Sequence, residues 1–168
     1  MKRKGFLVAL VVLAFTASAA FAQVGQKPEL VLSLSAHKEV TVTGEDGKPK
    51  AEWQEVQSTG PGDELMYTIR YENKGDTEAR DAKIVDPVPQ NTSYISGSAE
   101  GEGAEITFSL DGKTFGPPPM LTYRLMQADG TEVEYTATPD MYTHIQWKLN
   151  KPVPPGGTGS VRFKVKVQ

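Results

Sequence analysis

The sequence has no cysteine, and only 2 histidines and 2 tryptophans, in 168 residues. Without cysteine there are no disulfides to support a fold and no thiol to act as nucleophile or soft metal ligand. With only His37 and His144 as imidazoles, histidine-based catalysis and multi-histidine metal sites have almost nothing to draw on. No serine stands in a G-x-S-x-G setting, so the usual strand-to-helix nucleophile turn is missing too. Helical periodicity is nearly absent. Beyond the first 22 residues no long apolar run occurs, so no membrane-spanning segment is expected there.

The one long apolar run is at the start. Lys2, Arg3 and Lys4 precede an apolar stretch from Phe6 to Phe15, and Ala20-Phe21-Ala22 fits a small-residue cleavage pattern. Residues 1–22 read as a secretory signal peptide, with Gln23 as the first mature residue. No cysteine follows the cleavage point for lipidation, and no sorting tail closes the sequence. The mature chain, residues 23–168, is expected to be one exported soluble domain in the periplasm, on the outer surface or in the medium. Its 146 residues (168 less 22) suffice for a core without staples. Setting the first three cations aside leaves 15 basic residues (18 less 3) against 21 acidic, a net charge near −6. An acidic exported domain is poorly suited to nucleic acid or anionic membrane surfaces.

What the sequence does contain is period-two alternation punctuated by turns. Leu30, Leu32, Leu34 and Ala36 alternate with Val31, Ser33 and Ser35, and the parity resumes at Val40 and Val42. Leu65, Tyr67, Ile69 and Tyr71 alternate with Glu64, Met66, Thr68, Arg70 and Glu72; Thr143, Ile145, Trp147 and Leu149 follow the same rule, as do Val161, Phe163, Val165 and Val167. Asp46-Gly47, Asp111-Gly112 and Asp129-Gly130 are hairpin turn signals. About eight to ten strands with one apolar face each call for an antiparallel immunoglobulin-like β-sandwich. Trp147 and Trp53 are the large residues expected at its centre. In the segment PGDELMYTIRYENKGD, residues 61–76, the parity implies a central strand with a turn at each end.

Together these motifs resemble a known family. PGDELMYTIRYENKGD, IVDPVPQNTSYISGSAEG, ITFSLDGKTFG, THIQWKL and PPGGTGSVRFKVKV stand in the order of the bacterial conserved-repeat domain, also called domain of unknown function eleven. The resemblance runs from about Leu30 to Val167. It implies an immunoglobulin-like sandwich in an exported envelope or surface protein, with no enzymatic activity. The family often occurs as tandem copies, whereas this chain carries one.

Candidate sites are few. Lys38 has the inward parity of Ala36 and Val40; it reads as a kink where the first strand passes from one sheet to the other, or as an isopeptide lysine with Asn150 or Asp86. Arg162, Lys164 and Lys166 form a basic stripe, either guarding an exposed strand or binding an anionic partner. Asp46, Asp63, Asp76, Asp111, Asp129 and Asp140 sit in turns, where calcium is the only cofactor to weigh; otherwise no cofactor is expected. Ser109 to Phe115 looks like an Asp-box hairpin, with Asp111 bonding the turn amides. Two functions follow: a structural or protein-interaction module, whose partners are other envelope proteins or itself through the strands Leu30–Ala36 or Val161–Val167; or a carbohydrate- or ligand-binding module using Tyr123, Tyr135 or Tyr142.

Overall fold

A computed structural model describes residues 27–168; the expected signal peptide over 1–22 lies outside them. The strands are β1 (Leu30–Thr43), β2 (Pro49–Glu55), β3 (Glu64–Asn73), β4 (Lys83–Pro87), β5 (Thr92–Tyr94), β6 (Glu100–Gly101), β7 (Ala104–Ser109), β8 (Thr122–Met126), β9 (Glu132–Thr136), β10 (His144–Leu149) and β11 (Thr158–Val167). One 3-10 turn, Pro139–Met141, precedes β10. Eleven strands exceed the expected eight to ten because short pieces such as the two-residue β6 leave no periodicity to read.

One sheet runs β2-β1-β3-β11-β5, with β6 also on β11; a second runs β4-β10-β7; β8 and β9 form a separate hairpin. Every pairing is antiparallel. The two main sheets pack face to face as a sandwich. Trp147 on β10 and Phe163 on β11 are both wholly buried, their rings 5.9 Å apart across the gap. Burying one side chain of this size stabilises the fold by about 2–3 kcal/mol. Ile84, Ile145, Leu65, Ile69, Val161 and Val165 surround this contact. At one end Tyr94, Phe108 and Tyr142 make a second aromatic cluster, with centroids 4.7–6.0 Å apart.

The strand at residues 64–73 is central as its alternation requires. β3 lies between β1 and β11, with Leu65 and Ile69 buried, Tyr67 and Tyr71 half-buried, and Glu64, Arg70 and Glu72 exposed. The three Asp-Gly turns are also in place. Asp46 Oδ1 accepts from Lys48 N–H at 3.2 Å and Asp129 Oδ1 from Thr131 N–H at 2.9 Å. Asp111 Oδ1 accepts from the amides of Lys113 and Thr114, each at 2.8 Å.

Several expectations are corrected. Trp53 is not a core residue: it is half-exposed on the outer face of the larger sheet, its ring centroid 4.8 Å from Lys164 Nζ. β1 has no kink between sheets at Lys38; it continues through Thr43 in one sheet, exchanging β3 on one side for β2 on the other. β11 is not an edge strand, because β5 and β6 return from mid-chain to cover its far side. Tyr142 is buried in the aromatic cluster, so it offers nothing to a ligand.

Asn73, which looks like part of a surface turn in the sequence, is wholly buried at the end of β3. Its Nδ2 donates to the carbonyls of Thr77 and Val153, each at 2.8 Å. Its Oδ1 accepts from Glu29 N–H at 3.1 Å and Gly75 N–H at 3.0 Å. One amide thus joins the approach to β1, the turn after β3 and the loop before β11. Gly75 is required beside it, because a Cβ there would collide with the backbone of Lys27 to Glu29. Replacing Asn73 by Ala strands up to four main-chain groups and is expected to cost about 3 kcal/mol, since each buried unsatisfied group costs about 1–3 kcal/mol. Asn73→Asp keeps the acceptors but sets a carboxylate against two carbonyls, so it should be no milder. Urea unfolding checks both: an Asp variant as stable as the parent would show that the Nδ2 bonds contribute nothing.

Candidate functional site

The larger sheet has six strands and the smaller has three, and the mismatch exposes part of an inner face. Directly opposite residues on paired strands share a face. Leu32 stands opposite Tyr71, Leu34 opposite Ile69 and Lys38 opposite Leu65. The even residues of β1 therefore lie on the core face, as their parity predicts. Yet Leu32 is 48% and Leu34 56% exposed, while Ile69 next to Leu34 is 3% exposed. The smaller sheet covers β3 and β11 but does not reach this half of β1.

The same half of β1 is also open along its backbone. β3 pairs with Leu30–Lys38 on one side, but β2 begins to pair on the other only at His37. Val56 N–H reaches Ala36 O at 3.2 Å. Among the described residues no strand pairs with the far side of Leu30–Ser35. The stretch has no charge and no proline, whereas β2 starts Pro49-Lys50 and β4 runs from Lys83 to Pro87. Charge and proline are the devices that keep edges from pairing, and this edge has neither.

Lys38 sits where the uncovered inner face ends. Its ammonium meets Asp63 Oδ2 at 2.6 Å, with both side chains about a quarter exposed (29% and 23%). The inward parity was legible, but the core it implied is absent, so the ammonium keeps water and one carboxylate. Asp63 also accepts from Gly60 N–H at 2.7 Å. Lys38 first, then Gly60, hold the Asp63 carboxyl below its ordinary pKa. An ionised carboxylate is a poor acyl donor to an amine, and the residue that meets Lys38 is neither of those expected for an isopeptide.

The basic stripe is real, but two of its cations are engaged. Arg162 Nε donates to Glu100 Oε2 at 2.8 Å and Lys164 lies over Trp53. Lys166 stands opposite Glu64 in the register. Trp53, Met66, Ser98, Glu100, Arg162 and Lys164 line a shallow cleft of about 410 Å³ on this outer face. A stripe inside the sheet, flanked by strands on both sides, cannot serve as an edge guard.

The β8–β9 hairpin belongs to neither sheet. Tyr123 and Tyr135 stack on one face at 5.6 Å, with Leu125 opposite Val133 on that same face. Leu125 (49% exposed), Val133 and Tyr135 are open to solvent. The other face carries Arg124 beside Glu132 at 3.6 Å, with Met126 exposed at its end. A two-stranded hairpin is marginal alone; buried Leu121 and Ala137 anchor its base, joined by an Ala137 N–H to Leu121 O bond of 2.8 Å.

The two histidines do not meet, since His37 is in β1 and His144 in β10 of the other sheet. His37 Nδ1 is buried without a partner among the described residues, and His144 rests on the Gly112 turn. Among the described residues no group of three or more His, Cys, Asp or Glu gathers to hold a metal. The turn aspartates Asp46, Asp63, Asp111 and Asp129 spend oxygens on backbone amides. Asp111 is the firmest, its pKa lowered to about 2 chiefly by the amides of Thr114 and Lys113. Among the described residues no helix is long and apolar enough to cross a membrane.

Because the Asp63 pKa is depressed on folding, its contribution is fully present above the ordinary carboxylate range and is lost as pH falls through the folded value. Asp63→Asn should therefore lower the urea midpoint at pH 7 and lose its deficit progressively as the pH falls below the ordinary carboxylate range. Asp111→Asn should behave alike, with its window extending down to about 2. Paired denaturation curves at pH 7 and about pH 1.5 check both; a deficit that stays constant with pH would remove the charge from the account.

Compared with protein-family models, curated proteins and solved structures, the chain finds no match.

Proposed function

We propose that this chain is a non-catalytic protein-interaction module of immunoglobulin-like type, exported by a bacterium to its envelope or surface. One observation supports the reading above the others: Leu30–Ser35 combines an unpaired backbone edge with two exposed leucines on a core face. Extended partners add to such edges through main-chain hydrogen bonds, and alternate side chains supply selectivity. The signal-like residues 1–22 and the motif order shared with the bacterial conserved-repeat domain support export and the envelope. The carboxylates of Asp46, Asp63, Asp111 and Asp129 accept from turn amides, which supports a structural role for them.

A second reading rests on a separate feature. The stacked Tyr123 and Tyr135, with Gln127 Nε2 donating to Tyr135 Oη at 3.1 Å, present an aromatic platform with a polar rim. Sugar rings and apolar protein surfaces both dock on such platforms.

Photocrosslinking in the producing cells separates these readings. A photoreactive residue in place of Leu34 should yield a discrete protein adduct, and one in place of Lys113, exposed in the turn after β7 of the other sheet, should not. A Tyr135 replacement that alone gives adducts, or retention on a glycan panel that Tyr135→Ala abolishes, would move the function to the hairpin. No adduct from Leu34 would overturn the edge reading.

A further inference from the structure

We propose that the partner of this edge is a second copy of the chain, paired antiparallel to β1 about a two-fold axis through Leu32. The inference rests on the interaction-module reading above and names its partner.

The direction of the main-chain groups leads to this register. In an antiparallel ladder, alternate residues turn their N–H and C=O groups to opposite sides. Lys74 N–H donates to Glu29 O at 2.8 Å, on the β3 side of β1. Counting on from Glu29, Val31, Ser33 and Ser35 face β3, while Leu30, Leu32 and Leu34 face away from it. The Val56 N–H to Ala36 O bond on the far side agrees with that alternation and closes the edge at Ala36. Among the described residues nothing pairs with the three N–H and three C=O groups that these three residues turn outward. A second β1 centred on Leu32 sets Leu30 opposite Leu34 of the second copy and Leu32 opposite its own counterpart. Each outward group then gains a partner, and Ala36 keeps Val56. A register centred on Ser33 would instead compete with Val56 for Ala36.

The side chains support the same pairing. Leu32 and Leu34, 48% and 56% exposed, would meet Leu32 and Leu30 of the second copy on the inner face. Two half-covered apolar patches would become one. No charge and no proline lie between Leu30 and Ala36, so the two-fold axis brings no like charges together. A foreign strand selected by charge would find nothing here to read, whereas a period-two leucine strand is complementary to itself. Isologous pairing also closes on itself, leaving a dimer and not a filament.

The absence of cysteine makes the register directly testable. In the proposed dimer the two Leu32 Cα atoms form a hydrogen-bonded pair about 5.5 Å apart, within disulfide reach. The two Leu34 Cα atoms are offset by four residues, about 13 Å, and are out of reach. Leu32→Cys in the exported full chain should oxidise to a covalent dimer at least about tenfold faster than Leu34→Cys. Sedimentation of the parent should show a dimer at about 100 μM, and Leu32→Glu should sediment as a monomer with unchanged urea unfolding, since the site is half-exposed. The double variant L30K/L34E, which places opposite charges across the axis, should dimerise where L34E alone does not. A parent that stays monomeric at about 1 mM would overturn the proposal, as would Leu34→Cys linking as fast as Leu32→Cys. If the parent is monomeric but Leu34 still crosslinks to another protein in cells, the second copy is wrong and the interaction module stands. If both experiments fail, both fall.

Discussion

Trp147 sits against Phe163 across the gap between the sheets, and apolar burial spreads from that contact only as far as three strands can reach over six. Within that footprint Leu65 and Ile69 of β3, Ile145, Trp147 and Leu149 of β10, and Val161, Phe163 and Val165 of β11 are almost fully buried. Outside it, the same alternation on β1 leaves leucines in water and a lysine on a core face. The exposure of these leucines and the wet placement of Lys38 are consequences of this difference in sheet size, while the open edge follows from β2 joining β1 only at His37. The indole N–H of Trp147 finds no acceptor among the described residues, so packing outweighs one lost hydrogen bond at the centre.

Around the footprint, polar side chains hold what the core does not. Asn73 fastens the approach to β1 and the loop before β11 to the end of β3. Asp63, at the other end of β3, holds Lys38 of β1, while its main-chain carbonyl accepts from Val167 N–H at 2.9 Å. Each end of the central strand is thereby tied to both its neighbours. These groups work differently: Asn73 is neutral, buried and fully bonded, while the Lys38–Asp63 pair is wet and screened, where an ion pair adds little.

The alternation in residues 64–72, 143–149 and 161–167 revealed the fold class, because a period of two has one structural meaning when turns bound it. It also showed which face each residue takes. It carried no information on whether anything covers that face, because coverage depends on how many strands the opposite sheet contains. Leu32, Leu34 and Lys38 were thus assigned the correct side and the wrong environment. Trp53 failed for a related reason: size suggested a core, but on β2 its side chain falls on the outer face, over Lys164. Asn73 was hidden because Asn-Lys-Gly-Asp reads as a plain turn, and four main-chain partners from three segments leave no local pattern. The hairpin face was legible in part, since Tyr123 and Tyr135 stood out although their mutual register did not.

The arrangement of β1, β3 and β11 has a mechanical side. β3 runs antiparallel to both neighbours, which are therefore parallel to each other, and it pairs with each over nine positions. Leu30 lies beside Asn73 at one pole, and Lys166 lies beside Glu64 at the other. Tension between the first residue of β1 and the last of β11 would act along the strands. The rungs on either side of β3 would then be loaded together in shear, not opened one after another as when a hairpin is peeled. A domain held between two attachment points in this way resists extension with its whole central ladder at once.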